Sequence, residues 1–207
     1  MTGPVVHFVD EDEAMRKATT RLLEAAGHQV VTYASAHDFL TRADVSMAGC
    51  VILDMRLPDR SGLDLQAELA SLGVQLPVIF MTGYGLIPDT VRAMQRGAVD
   101  FLTKPVDAQT LLASVSRAFA QDAASRAERS RREQLRVRYE RLTPREREVF
   151  LHLISGQLNK QVAADLQIAE RTIKLHRANI LEKLEVDSMA ELGRMAVDLG
   201  IEPVPRT

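Results

Sequence analysis

Cys50-Val-Ile-Leu53-Asp54-Met-Arg-Leu-Pro58-Asp-Arg-Ser-Gly62 runs from an unbroken apolar stretch straight into a carboxylate, and then into turn-forming residues. A short apolar run closed by turn signals reads as a buried strand. It lacks the in–out alternation of a half-exposed strand, so both of its faces must be covered, as in a parallel sheet. Working outward, Val5–Val9, Gln29–Tyr33, Val78–Met81 and Phe101–Leu102 have the same strand character. Between them lie stretches with helical spacing: Met15, Ala18, Leu22 and Ala25, a short stretch opened by Ser35 with Asp38 three residues on, then Leu63–Leu72 and Pro88–Arg96. Gly27 and Gly97 stand where two of these helices should stop. Five β–α units in succession predict an α/β, doubly wound, five-stranded parallel sheet with helices on both faces. Its functional crevice should lie beyond the carboxyl ends of the strands.

Composition sets the frame around that sheet. The 207 residues include 46 % hydrophobic and 26 % charged side chains, with a net charge of −2. That is ordinary for a folded protein and excludes a polyelectrolyte or fibrous repeat. No apolar run is long enough for a membrane span and the first residues do not resemble a leader, so the expected location is the cytoplasm. The single cysteine, Cys50, excludes an intramolecular disulfide and a multi-cysteine metal site. The near-zero total hides three sections: residues 1–120 carry −4, residues 121–141 carry +3 and residues 142–207 carry −1. The chain is therefore read as a first domain over 1–120, an Arg-rich helical linker over 121–141 and a second domain over 142–207.

The last section has no strand signal. Thr143-Pro-Arg-Glu146 is a capping box with proline at the first helical position. It opens a helix closed by Gly156. Asn159 is placed as the cap of a short second helix, a third covers about Glu170–Leu184, and Ser188-Met-Ala-Glu191 opens a fourth ending before Gly200. Four short helices, two of them joined by a tight turn, make a helix-turn-helix candidate. On the third, Ile173, Ile180 and Leu184 form a core stripe, which leaves Arg171, Lys174, Leu175 and Ala178 facing out. A basic face with short side chains suits a DNA major groove, where lysine reaches guanine and Leu or Ala meets a thymine methyl.

In the first section, chemistry-bearing residues gather at strand ends. Asp10, Glu11 and Asp12 follow the first strand, Asp54 the third, Thr82 the fourth, and Lys104-Pro105 the fifth. Carboxylates with open coordination suit Mg²⁺. A hydroxyl and an ammonium beside them can hold phosphoryl oxygens. Phosphoryl transfer to a carboxylate is the chemistry this set suits.

Val9-Asp10-Glu11, the Leu53–Gly62 string, Met81-Thr82-Gly83 and Phe101-Leu-Thr-Lys104-Pro105 occur in the order of, and resemble, the receiver domain of bacterial two-component response regulators, a flavodoxin-like fold. That resemblance implies that Asp54 is the phosphoacceptor. It makes Asp10 and Glu11, with Asp54 and the backbone carbonyl of Arg56, the Mg²⁺ site, and Thr82 and Lys104 the phosphate-sensing residues. Phe101 becomes the aromatic switch. Glu11 stands where the family more often has aspartate, which bears on metal affinity. Tyr84, two residues after Thr82, is expected to hinder the water that hydrolyses the phosphorylated form.

Leu142-Thr-Pro-Arg-Glu-Arg-Glu-Val149, Asn159-Lys160, Val162-Ala163, Arg171-Thr-Ile-Lys174, His176 and Lys183-Leu184 resemble the LuxR-type helix-turn-helix. Together the two halves resemble the NarL/FixJ response regulators, and Val91–Leu102 resembles the FixJ branch with its styrene- and toluene-pathway relatives. In that family Asn159–Ala178 spans the motif and the last helix is a dimerisation surface. The resemblance places Lys174 and Leu175 at the bases, with Lys160, Thr172 and Arg177 nearer the phosphates; Ala178 replaces a frequent second lysine. It further implies a sensor histidine kinase, a double-stranded DNA operator, a homodimer formed on phosphorylation, contact with RNA polymerase, and activation of transcription. No enzyme activity is expected beyond phosphotransfer to Asp54 and its reversal. A haloacid-dehalogenase type hydrolase would want an acid where Arg56 stands. A regulator that binds DNA without phosphorylation, with the first domain as a dimer scaffold, is the remaining alternative.

Overall fold

The computed structural model of the chain describes residues 3–83 and 87–205, with backbone alone for 87–89. Tyr84 lies outside the described residues. Five strands, β1 (Val5–Val9), β2 (Gln29–Tyr33), β3 (Gly49–Leu53), β4 (Val78–Thr82) and β5 (Asp100–Thr103), alternate with α1 (Glu13–Ala25), α2 (Ala36–Arg42), α3 (Gly62–Ser71) and α4 (Ile87–Gln95). All strand pairs are parallel, in the order β2-β1-β3-β4-β5. Every residue of β1, β3 and β4 is buried, which is what their unalternating sequences demand. One face packs Val9, Tyr33, Phe39, Leu53, Leu65 and Phe80. The other packs Phe8, Leu23, Ile52, Ile79, Leu111 and Val115. Edge strand β2 instead alternates between exposed and half-buried positions until Tyr33.

The sheet order reverses at β1, which pairs with β2 on one side and β3 on the other. Val9 is in register with Leu53 and Asp54 N–H donates to the Val9 carbonyl at 2.9 Å. The next residues of these two strands, Asp10 and Asp54, therefore emerge side by side at the switch point of the sheet, where such folds bind ligands. Gly27 and Gly97 follow α1 and α4 with φ of 86° and 82°, the left-handed geometry that releases the chain from a helix.

After β5 comes one helix, α5 (Ala108–Glu140), opened by Asp107, whose carboxylate accepts from Thr110 N–H at 2.9 Å. The chain divides into two compact units, Met1–Arg126 and Ala127–Thr207. The first reaches beyond residue 120 because Asp122 and Arg126 are tied to the loop before β3. Asp122 is buried and accepts from Gly49 N–H at 2.9 Å, while Arg126 donates to the Ser46 and Met47 carbonyls. The rest of α5 belongs with the second unit. Its apolar residues are sparse, but Leu135 and Tyr139 pack on the core of that unit. Its arginines pair with acids three or four positions away, Arg131 and Arg132 with Glu128 and Arg136 with Glu140. Such pairs stabilise a helix whose polar surface faces water.

The second unit continues as α6 (Pro144–Ile154), α7 (Asn159–Asp165), α8 (Glu170–Leu184) and α9 (Met189–Leu199). The Thr143/Glu146 capping box is complete: Glu146 N–H donates to Thr143 Oγ1, and Thr143 N–H to Glu146 Oε2. At α7 the sequence reading needs correction. Asn159 is the first helical residue and Leu158 is the cap position, with Gln161 Oε1 accepting the Leu158 N–H at 2.7 Å. The glutamine side chain reaches back to the N–H of the cap residue itself, while the Gln161 N–H donates to the Leu158 carbonyl at 2.8 Å. Among the described residues no helix is long and apolar enough to cross a membrane.

Candidate functional site

Asp10 is fully buried at the end of β1 and Asp54 nearly so at the end of β3. Two like charges placed together in a poorly hydrated site repel unless a cation lies between them. Lys104 from the end of β5 is that cation, its Nζ lying 2.6 Å from Asp10 Oδ2 and 2.5 Å from Asp54 Oδ2. Burial alone would lower the pKa of this ammonium, but its hydrogen bonds to the two aspartates outweigh burial and raise it above the ordinary lysine value. The remaining oxygens are fixed by backbone: Asp12 N–H donates to Asp10 Oδ1 at 2.9 Å, and Arg56 N–H to Asp54 Oδ1 at 3.1 Å.

Thr82 ends β4, buried, and its carbonyl accepts the Lys104 N–H at 2.7 Å. That bond and the Thr82–Thr103 register hold Thr82 and Lys104 at the same edge. Phe101 is half-buried, its ring centroid 6.2 Å from that of Phe80. Asp10, Asp54, Arg56, Thr82 and Lys104 are thus brought to one sheet edge. Glu11 is exposed, and among the described residues no three acid, histidine or cysteine side chains form a metal-sized group. The donors at the crevice are nevertheless hard oxygens, and the ammonium already held between two of them shows that the pocket accommodates positive charge. That donor chemistry fits Mg²⁺.

Some contributors carry weak sequence signals. Gly62, the first residue of α3, packs where an added Cβ would lie 2.3 Å from the Asp54 carbonyl oxygen. Asp59, in the loop after Asp54, accepts from the N–H groups of Ala36 and His37 at the start of α2. Arg16 of α1 donates to the carbonyls of Asp10 and Glu11. Only the glycine could have been suspected from the sequence, as the end of the Asp54 string.

In the second unit, α7 and α8 are joined by a turn in which Gln167 takes φ of 54°. Ile173, Ile180 and Leu184 are buried, as their spacing predicts. Lys160, Arg171, Lys174, Leu175 and Ala178 are exposed, while Thr172 and Arg177 are half-buried. Leu175 is a large apolar residue left 60 % exposed on the outer face of α8. Lys174 pairs with Glu170 at 3.2 Å on an open surface, an interaction weak enough to be exchanged for a phosphate or base. Lys183, a fourth basic residue of this helix after Arg171, Lys174 and Arg177, is committed elsewhere. Its Nζ holds both oxygens of the buried Glu146, at 2.9 and 2.7 Å, and so ties the capping box of α6 to the end of α8.

A carboxylate–lysine pocket at the switch point of a five-stranded receiver fold, followed by a helix-turn-helix, defines a signal-responsive DNA-binding regulator. Residues 6–116 match the response regulator receiver domain, and residues 140–196 match the luxR family of bacterial regulatory proteins. The chain is 43 % identical over 200 residues to Nodulation protein W of Bradyrhizobium diazoefficiens, covering 97 % of this chain and 88 % of that protein. To response regulator protein TodT of Pseudomonas putida it is 41 % identical over 191 residues, covering 92 % and 84 %. The solved structure of the response regulator StyR aligns with a TM-score of 0.82 at 41 % identity, covering 94 % of this chain and 98 % of that one. The chain belongs to the two-component response regulators that join a receiver domain to a LuxR-type DNA-binding domain.

Proposed function

We propose that this regulator is switched by phosphorylation of Asp54. The observation that carries the reading is the Lys104 ammonium held between Asp10 and Asp54. Asp54 Oδ attacks the phosphorus of a phosphohistidine on a sensor kinase; the P–N bond breaks, and the imidazole leaves and takes a proton. Mg²⁺ held by Asp10, Glu11, Asp54 and the Arg56 carbonyl would neutralise charge on the transferring group. Lys104 then exchanges its Asp54 carboxylate contact for a phosphoryl oxygen, and the Thr82 hydroxyl donates to another. The phosphoryl group adds about −1.5 to −2 charge and strong acceptors. Thr82 moving toward it vacates space beside β5, into which Phe101 turns. Reversing a 1:99 equilibrium takes about 5.5 kcal/mol of differential stabilisation. A dianion bonded by an ammonium, a hydroxyl and backbone N–H groups is of the strength to supply that.

The consequence is a homodimer that sets two copies of α8 on a double-stranded DNA operator, with half-sites about one helical turn apart. Lys174 and Leu175 read bases, with Arg171 and Ala178 on the same outward face, and Lys160, Thr172 and Arg177 lie nearer the phosphates. The regulator acts as an activator and recruits RNA polymerase. No external substrate is turned over, since transfer and hydrolysis both occur on Asp54.

Wild type and Asp54→Asn are incubated with Mg²⁺ and a small phosphodonor, and intact mass and solution molecular weight are read together. A phosphate adduct and a dimer in the wild type alone are expected. Absence of an adduct where a control receiver is labelled overturns the reading in favour of phosphorylation-independent DNA binding.

A further inference from the structure

Arg16 lies on the first turns of α1, and its side chain reaches back over the acidic loop. Its Nη1 donates to the Asp10 carbonyl at 2.6 Å and to the Glu11 carbonyl at 2.9 Å. The C=O and N–H of a trans peptide point in opposite directions. With the Glu11 carbonyl turned toward the guanidinium, the N–H of the same peptide, which belongs to Asp12, is turned away from it. That N–H donates to Asp10 Oδ1 at 2.9 Å. The other carboxylate oxygen, Oδ2, is thereby left facing Lys104 at 2.6 Å. Asp12 fastens the far side of the loop by accepting the N–H groups of Ala14 and Met15.

We infer that Arg16 is a positioning residue for the acidic pocket: by holding two successive carbonyls it orients the peptide whose N–H locks the Asp10 carboxylate toward Lys104 and Asp54. The inference rests on the reading of Asp10 as an acid of the Mg²⁺ site. Arg16 acts on that site in a second way, since a guanidinium beside an acidic pocket repels a divalent cation. The two effects have opposite signs. Loss of charge alone tightens Mg²⁺ binding, whereas loss of the carbonyl clamp weakens it by freeing the Asp10 side chain. Groups that orient a metal ligand typically change affinity by 10- to 100-fold when removed, so orientation outweighs the field of one half-exposed cation.

The test uses the full chain as wild type, Arg16→Met and Lys17→Met. Lys17 neighbours Arg16 on α1 and pairs with Glu13 at 2.6 Å, so its loss removes the same charge without touching the loop carbonyls. Mg²⁺ affinity is measured by calorimetric titration, and exchange of the Asp12 amide is measured by NMR in metal-free protein. Arg16→Met should weaken Mg²⁺ about tenfold and speed Asp12 exchange about tenfold or more, as expected on losing one hydrogen bond to a charged acceptor. Lys17→Met should leave exchange unchanged and Mg²⁺ binding equal or slightly tighter. Equal or tighter Mg²⁺ binding by Arg16→Met overturns the inference, and so does weaker binding with Asp12 exchange unaltered. If the wild type itself binds no Mg²⁺, the metal reading fails, and the exchange measurement alone decides whether Arg16 holds the loop.

Discussion

Replacing Gly62 by alanine should damage the receiver more than any other single methyl addition at a helix start. The new Cβ would lie 2.3 Å from the Asp54 carbonyl oxygen and 3.1 Å from Phe80 Cε1. Carbon–oxygen contacts settle near 3.3 Å or more, so the two backbones must part by about 1 Å. Neither is free to do so. Asp54 N–H is bonded to the Val9 carbonyl and Gly62 N–H to the Met55 carbonyl, both at 2.9 Å. Overpacking a rigid site costs about 1–3 kcal/mol, and weakening a backbone hydrogen bond adds about 1 kcal/mol. Alanine recovers less than about 1 kcal/mol in helix propensity at a first helical position. The net expectation is a loss of about 2–3 kcal/mol. A urea titration of the full chain, with hydrogen exchange followed peptide by peptide to isolate the receiver, should move its midpoint down by about 1 M or more. The same shift displaces Asp54, so phosphate adduct formation should slow as well. A receiver that unfolds within about 0.5 kcal/mol of wild type, the range of an ordinary surface substitution, would refute the close approach on which this reasoning stands.

Two further outcomes concern the DNA-binding unit. Glu146 is almost fully buried; burial acts to raise its pKa, but hydrogen bonds from Lys183 and Thr143 outweigh it, and the net value is lowered. A lowered carboxylate contributes stability that is present above its unfolded value, about 4.3, and is lost as pH falls through the folded one. Glu146→Gln should therefore destabilise this unit by about 1–3 kcal/mol at neutral pH and flatten its stability profile below about pH 4.3; an unchanged acid limb counts against the pair. Gly193 lies inside α9 with nothing within 4 Å of an added Cβ. Gly193→Ala should raise the stability of the unit by about 0.5–1 kcal/mol, and a lower thermal midpoint would contradict the open space seen there.

Much of the architecture is legible in the sequence. The buried strands are legible because β1, β3 and β4 are apolar at nearly every position, His7 and the terminal Thr82 being the polar exceptions, a pattern that a sheet covered on both faces explains. Capping residues Ser35, Asp107, Thr143 and Ser188 act locally, within one turn of helix, so a linear reading finds them. Asp10, Asp54, Thr82 and Lys104 are legible for a related reason: each lies at or just beyond the end of a strand, and strand ends in a parallel sheet share one edge. Asn159 is a good cap by residue type, but the cap position is Leu158, whose N–H donates to Gln161 Oε1, and leucine and glutamine carry weaker sequence signals of a helix start.

What the sequence alone determined is whatever depends on neighbours along the chain: the strand and helix succession, the cores, and the order of acid, hydroxyl and lysine. Tertiary structure decided which charges meet. Lys183 looks like part of a basic DNA-facing surface, and only packing of α6 on α8 commits it to Glu146. Arg126 looks like one arginine in a charged linker, yet with Asp122 it fastens α5 to the loop before β3. Arg16 sits among helix-surface residues, and only the return of the β1–α1 loop brings two carbonyls under its guanidinium. A charged side chain carries no mark of its partner, because an ion pair or carbonyl clamp is set by distance in space, and residues far apart in sequence become neighbours only when the chain has folded.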